Sequence, residues 1–325
     1  MPKAIIGHAF GPPETYALHD FDPGPPGEGQ LRVAIKAAGI SYVDVLTARG
    51  EYQFKPPLPF IPGSEYAGVI EAIGPGVAGF AIGERVYGTG MGGILAEVGN
   101  FAAANVSRVP AGMSLETAAV FSVNYLTAWH ALADRARARA GEVLLVLGAA
   151  GGTGFAAIEV GKHLGLKVIA SASSADKRAV ALAGGADAAV DSGAADWREA
   201  VKAANGGKPI DIVFDGVGGE ATERAFRTLG YDGRHLVVGF PAGIPALKTN
   251  LALLKSASLV GVHVRHAGME RPDLLAEGRK RIAEMAESGL VRPAIAGRYA
   301  MADYVRAMDQ AFSGKAAGRI LMVMG

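Results

Sequence analysis

The 325-residue chain contains no cysteine. That absence excludes disulfides, thiol nucleophiles, iron–sulfur clusters and every zinc site built on thiolate. It suits a reducing compartment, so a soluble protein of the cytoplasm is expected. Charge is also scarce. Only 19% of residues are charged, and 32 Lys and Arg face 31 Asp and Glu, a net charge of +1. So even a balance argues against a polybasic surface or an acidic tail, and no nucleic-acid partner is expected. Long hydrophobic runs are missing too. The longest, residues 143–158, is interrupted by Thr153 and crowded with glycine. It falls short of the ~18–20 apolar residues of a membrane span. The first residues reach Gly11-Pro12-Pro13 without the apolar stretch and cleavage site of a secretory signal.

Glycine is present in excess, with 46 residues against a usual share of ~7%. It follows no G-X-Y period. Half of the residues are hydrophobic, enough for a sizeable core, and the length suggests about two domains. The texture changes along the chain. Residues 1–123 are punctuated by Pro and Gly, with short segments at 4–8, 31–37, 66–73 and 85–88 that read as strands of a mostly β domain. From 124 to 262, apolar runs (143–147, 167–170, 188–190, 210–214, 235–238) alternate with helical patterns (155–164, 176–183, 197–204, 220–229). That alternation predicts a doubly wound parallel α/β sheet covered on both faces. Gly165, Gly184-Gly185, Gly206-Gly207 and Gly230 fall at the seams, where left-handed helix caps are expected. Residues 263–325 carry helices at 273–287 and 302–312 and a strand at 319–324. This segment is too small for a domain and is expected to complete the first.

The sharpest local signal is a strand, a glycine turn and a helix: Val143 to Leu147, then Gly148-Ala149-Ala150-Gly151-Gly152-Thr153-Gly154. In the G-x-G-x-x-G pattern Ala149 takes the first glycine position, with Gly151 and Gly154 in the others. A small first residue permits the tight turn, Gly151 lets a pyrophosphate approach, and Gly154 lets the helix pack on the strand. The helix N-terminus would then face the phosphates. No Lys-Ser/Thr follows, which disfavours an NTPase loop, and there is no G-x-S-x-G elbow. The second strand has no acid at its end for a ribose. It runs into Ser171-Ala172-Ser173-Ser174, followed by Asp176-Lys177-Arg178. Hydroxyls at Ser171 and Ser173 with cations at Lys177 and Arg178 suit a 2′-phosphate, so NADPH is expected over NADH. The alternative is that a serine merely caps the helix and the two cations are solvated.

Several segments together resemble one known family. They are 38–44 with Arg49, Gly50 and Tyr52; Pro62-Gly63-Ser64-Glu65 through Gly68; Asn124-Tyr125-Leu126-Thr127; the 148–154 turn; Asp215 to Gly219; and Val238-Gly239-Phe240. In order and spacing the chain resembles the zinc-independent quinone oxidoreductases, the zeta-crystallin-like branch of the medium-chain dehydrogenase/reductases. The resemblance implies a GroES-like catalytic domain interrupted by a Rossmann domain and completed by the C-terminal segment. Ser41 stands where the zinc alcohol dehydrogenases of this superfamily place a catalytic Cys, and Ser64 where they place a His, so no metal is expected. The His263-x-x-His266 pair is not expected to hold one. Without a Lewis acid, a quinone or other conjugated carbonyl is the easier hydride acceptor.

The resemblance also assigns residues. Ser41, Tyr42, Asp44, Tyr52 and Ser64 line the catalytic side. Tyr52 is the leading hydrogen-bond donor, since a phenol keeps its proton at neutral pH; the alternative is a packing aromatic. Tyr42 reads as lining and Asp44 as an orienting group. Thr127, Gly239 and Phe240 surround the nicotinamide, Gly152 and Thr153 belong to the phosphate turn, and Arg319 lies near the nucleotide or is a surface cation. A homodimer through the edge of the Rossmann sheet, near residues 259–264, is implied. Two other functions remain open. One is reduction of an enone or enoyl-CoA, with Arg265, Arg271, Arg279, Lys280 and Arg281 as a basic rim. The other is an NADPH-binding protein with little turnover.

Overall fold

A computed structural model describes all 325 residues. In chain order the elements are β1 (Lys3–Gly7), β2 (Tyr16–Asp20), β3 (Gln30–Ile40), α1 (Tyr42–Ala48), β4 (Glu65–Ile73), β5 (Arg85–Thr89), β6 (Val98–Ala102), β7 (Val106–Arg108) and α2 (Leu115–Trp129). Then come β8 (Val143–Leu147), α3 (Gly152–His163), β9 (Lys167–Ala172), α4 (Ala175–Ala183), β10 (Ala188–Asp191), α5 (Trp197–Ala204), β11 (Ile210–Asp215), α6 (Glu220–Phe226), β12 (Leu229–Val237), α7 (Asn250–Lys255), β13 (Ser258–Gly261), α8 (Val264–Glu270) and α9 (Pro272–Glu287). The chain closes with β14 (Ile295–Ala300), α10 (Tyr304–Phe312) and β15 (Arg319–Val323). It forms two compact units, residues 1–123 with 295–325 and residues 124–294.

The first unit holds a seven-stranded sheet ordered β14-β15-β3-β4-β5-β7, with β6 also on β3, and a separate β1–β2 hairpin. The long β3 alternates along its first half, with Leu31, Val33 and Ile35 turned into the core. That period of two matches the pleat. The core continues through Tyr66, Ile70, Val86, Ile320 and Met322. The last strand, β15, pairs antiparallel with β3. It also brings Arg319 onto Glu65 of β4. Both side chains are buried, and the pair is reinforced by Val123 N–H, which donates to Glu65 Oε2 at 3.2 Å. Burial pushes the Glu65 carboxyl up, against the pull of Arg319.

The second unit is a six-stranded sheet ordered β10-β9-β8-β11-β12-β13, and its neighbouring strands all run parallel. Its central strands are apolar throughout because helices cover both faces. Leu144, Leu145 and Val146 of β8 and Ile212, Val213 and Phe214 of β11 are fully buried. The exposed edge is β13, as expected for the stretch beginning at Leu259, but Val264 already starts a helix.

Three expectations are corrected here. Helix α6 ends at Phe226, and β12 begins at Leu229, so Gly230 lies in a strand and is no helix cap. Leu229 is instead paired with Ile210, and a side chain at Gly230 would press on Pro209 at 2.9 Å. Gly184 caps α4 in a right-handed conformation (φ −74°), leaving the left-handed turn to Gly185 (φ +99°). Residues 263–294 pack with the second unit, so the return to the first begins at Ile295 and not at 263. The cause is α9, whose Gly278 approaches Leu126 and Trp129 of α2 so closely that a Cβ would lie 2.9 Å from Leu126 Cδ1.

The Glu65–Arg319 pair yields a stability prediction. Arg319→Ala leaves a buried carboxylate with no counter-charge and should cost about 3–5 kcal/mol, measured by urea unfolding.

Candidate active site

In the second unit, β8 delivers the chain into the glycine turn. Gly148 turns left-handed at φ +63°, and Gly151 N–H closes the turn on Gly148 O at 2.9 Å. Gly151 then caps α3 in an ordinary extended conformation (φ −74°, ψ 162°). The two later glycines answer different constraints. A Cβ at Gly154 would lie 2.3 Å from Gly148 O, so the fold itself forbids one there. A Cβ at Gly151 would meet only Gly148 O, at 3.3 Å. The backbone angle does not require glycine at 151, and packing constrains it far less than at 154, since the Gly148 carbonyl would need to give by only a few tenths of an ångström. Its bare surface, at the N-terminal end of a helix with unpaired N–H groups, fits an approaching phosphate. The turn is braced from α2, because Thr153 Oγ1 donates to Asn124 Oδ1 at 2.9 Å. Gly152 is the first residue of α3, and Ala149 is buried. Thr127, on α2, is half-buried.

At the end of β9 the four residues assigned to a 2′-phosphate part company. Ser171 turns inward, where its Oγ accepts the Trp197 indole N–H at 2.9 Å, so it is a core residue and not a phosphate ligand. Ser173 is exposed. Ser174 caps α4 by accepting the Lys177 N–H. Arg178 is engaged by Asp191 at 2.9 Å, which corrects its reading as a simple phosphate helper. Lys177 is half-buried beside the capped helix start.

The exits of β11 and β12 are organised by Asp215. Its Oδ1 accepts the N–H groups of Val217 and Gly218, each at 2.9 Å. Its Oδ2 accepts Thr222 Oγ1–H at 2.6 Å and lies 3.0 Å from His235 Nε2. The Nδ1 of the buried His235 has no partner, so the ring proton belongs on Nε2, facing the carboxylate. Burial pushes Asp215 up, but the hydrogen bonds from His235, Gly218 and Thr222 outweigh it and hold the carboxyl below its usual range. The Asp215 carbonyl also receives the N–H groups of Val238 and Gly239. One residue therefore fixes both the 216–219 turn and the segment leading to Gly239 and Phe240. Phe240 is partly exposed, and its Cβ would sit 2.6 Å from a Cβ at Gly218.

In the first unit, Ser41 caps α1. Its N–H and Oγ–H both donate to Asp44 Oδ2, at 2.7 and 2.6 Å, and its Oγ accepts the Asp44 N–H. This is a capping box with Asp at the third helical position. Ser64 lies close enough to the same carboxylate to help hold its charge. Burial pushes the Asp44 carboxyl up, against these bonds and the more distant Arg319. Asp44 thus gathers Ser41 and Ser64 at one point. Tyr42 stacks on Phe312 of α10 (centroids 5.0 Å apart, planes 4° apart), and Arg49 sits over the same ring. Its role is packing. Tyr52 is half-buried in the segment after α1. Arg319, assigned to the nucleotide or to the surface, is neither, because its guanidinium is committed to the buried Glu65.

The residues do not fit a zinc ion. Ser41 offers a hydroxyl already given to Asp44, Ser64 only a hydroxyl near the same carboxylate, and Glu65 is held by Arg319. No group of three or more His, Asp or Glu side chains gathers as metal ligands anywhere in the chain. His263 and His266 stack with centroids 6.0 Å apart, without a third ligand. Two of the five cations considered as a rim for an acyl-CoA are engaged in ion pairs: Arg271 pairs with Asp273, and Arg281 with Glu277 and Glu284.

Sequence reading missed Asn124, Asp191, Asp215 and His235 as site-forming residues. Asn124 and Asp215 lay inside segments already singled out, whereas a partner such as His235 is visible only once β11 and β12 are paired.

The two glycines give a paired prediction. Gly154→Ala should lower stability by about 1–3 kcal/mol, read by urea unfolding. Gly151→Val should fold near normally yet lose dinucleotide binding, read by calorimetric titration.

Comparison with known proteins agrees with this architecture. The sequence model for the alcohol dehydrogenase GroES-like domain matches residues 27–112, and that for zinc-binding dehydrogenase matches residues 152–279. The chain is 32% identical over 311 residues to mouse quinone oxidoreductase-like protein 2, covering 95% of this chain and 89% of that one. It is 31% identical over 328 residues to rat quinone oxidoreductase, covering 99% and 98%. Among solved structures, Escherichia coli quinone oxidoreductase complexed with NADPH superposes with a TM-score of 0.86 at 28% identity, covering 99% of both chains. Relatives of this similarity span both units from end to end, and the chain is accordingly an oxidoreductase belonging to the quinone oxidoreductase family of the medium-chain dehydrogenase/reductases.

Proposed function

We propose that the protein transfers hydride from NADPH to a quinone or a related conjugated carbonyl, without zinc. The observation that carries this reading is that serines stand at 41 and 64, with the Ser41 hydroxyl given to Asp44 and Ser64 close to the same carboxylate. Hydroxyls at these positions replace the thiolate and imidazole that a Lewis-acid zinc would need. An acceptor that delocalises its own developing charge needs no metal.

NADPH, when bound, supplies the hydride. The chain supplies binding and orientation. Gly151 leaves room for the pyrophosphate, and the N-terminal amides of α3 face its charge. Lys177, with Ser173 nearby, meets the 2′-phosphate. Asp215 holds the segments bearing Gly239 and Phe240, and Thr127 joins them around the nicotinamide. With the Ser41 hydroxyl occupied, Tyr52 is the donor toward the substrate oxygen, and Asp44 is a positioning residue. The quinone oxidoreductase relatives and the NADPH complex of one of them support the same acceptor and cofactor. The open edge at β13, with Leu259 exposed, supports a homodimer. Absence of cysteine and the net charge of +1 support a cytoplasmic enzyme with no nucleic-acid partner.

Steady-state assays should show NADPH oxidation with naphthoquinones exceeding that with enones or enoyl-CoA. No turnover of any quinone would sink the assignment. Lys177→Ala should raise the KM for NADPH about tenfold while leaving that for NADH nearly unchanged. Metal analysis of active enzyme should find no stoichiometric zinc.

A further inference from the structure

The C-terminal ends of β9 and β10 lie side by side, with Ala172 opposite Asp191. In a doubly wound sheet, ligands bind outside these ends, and the end of the second strand, here β9, faces the adenosine ribose. Two cations, Lys177 and Arg178, follow β9 in sequence, and Arg178 is held by a carboxylate. Arg178 Nη1 lies 2.9 Å from Asp191 Oδ2 and 3.4 Å from Ala172 O. Asp191 is itself held, because its Oδ1 accepts the Gly193 N–H at 2.9 Å. The side chains are 25% and 44% exposed, so the pair belongs to the surface at the strand ends and not to the core. The start of α4 does not need it, being capped by Ser174.

A carboxylate in this position has a cost for a phosphate ligand. It neutralises one of two nearby cations and adds negative charge beside the place where a dianion must settle. We propose that Asp191 is a specificity-determining residue for the cofactor: by holding Arg178 it limits discrimination between NADPH and NADH to what Lys177 provides. This rests on the NADPH reading above. It makes Arg178 a latent phosphate ligand, restrained by its neighbour on β10.

The test is Asp191→Asn in the intact enzyme. Asparagine keeps the size of the side chain and the Oδ1 acceptor for Gly193, while removing the charge. The Kd for NADPH should fall about 3- to 10-fold, and that for NADH should stay within twofold. The gain should shrink as salt rises from 50 mM to 500 mM, because it is electrostatic. Arg178→Ala should change little in the wild type but abolish the gain in the Asp191→Asn background. That non-additivity separates a freed guanidinium from a general loss of negative charge. Asp191→Ser serves as a second neutral variant and should shift NADPH affinity in the same direction. Equal changes for both cofactors, or weaker NADPH binding in both variants, would overturn the proposal. Failure of the NADPH reading shows elsewhere: the wild type would bind both cofactors equally and Lys177→Ala would be indifferent to the 2′-phosphate.

Discussion

The buried contact between Glu65 and Arg319 is the constraint on which the first unit depends. These residues stand 254 positions apart. The unit is assembled from both ends of the chain, and its sheet is complete only when β15 lies against β3. Hydrophobic burial alone would tolerate some sliding of an apolar strand such as β15. A buried charge does not, because it must meet its counter-charge or be left without solvation. The pair therefore fixes the register of β15. It also anchors the chain at Ser122 and Val123, whose groups reach the same carboxylate just before the second unit begins. Asp44 sits within electrostatic reach of this pair and takes the Ser41 hydroxyl, with Ser64 close by.

In the second unit, carboxylates play a comparable part at the ends of strands. Asp215 binds two backbone amides, one hydroxyl and one imidazole, and so sets the loops that follow two adjacent strands. Asp187 takes the Val168 N–H and pairs with Lys162 at the opposite end of the sheet. The parallel sheet supplies a rigid frame, and each acid ties the chain beside a strand end into a defined position, Asp215 at an exit and Asp187 at an entry. Binding groups in loops acquire precision in this way without becoming part of the core.

Much of the architecture could be read from the sequence because its cause is local. Apolar runs of five or six residues between amphipathic helices can be buried only as parallel strands, and 143–147 and 197–204 coincide with the observed elements. The glycine turn was legible for the same reason. Side-chain direction was not. Ser171 and Ser173 look alike in sequence, yet Ser171 lies within β9 against Trp197, whereas Ser173 follows the last strand residue, Ala172, and is exposed. Arg178 read as a ligand because it follows the second strand, and Arg319 because the family resemblance implied it, but each meets a carboxylate on another strand. The end of α6 was missed because the alternative, pairing Leu229 with Ile210, is a non-local contact. The Ser41, Ser64 and Asp44 cluster was anticipated as a set of residues, but the hydrogen bond from Ser41 to Asp44 was not.

Gly151 and Gly154, three positions apart, record separate histories. The chain itself enforces Gly154, since any larger residue collides with the carbonyl of Gly148. The protein's own packing constrains Gly151 far less, asking only a small shift of the same carbonyl. A screen that scores only expression or thermal resistance would be blind to the second and would reject changes at the first. Laboratory evolution of a more robust variant could then erase Gly151 unnoticed, yielding a sturdy protein with no use for its cofactor.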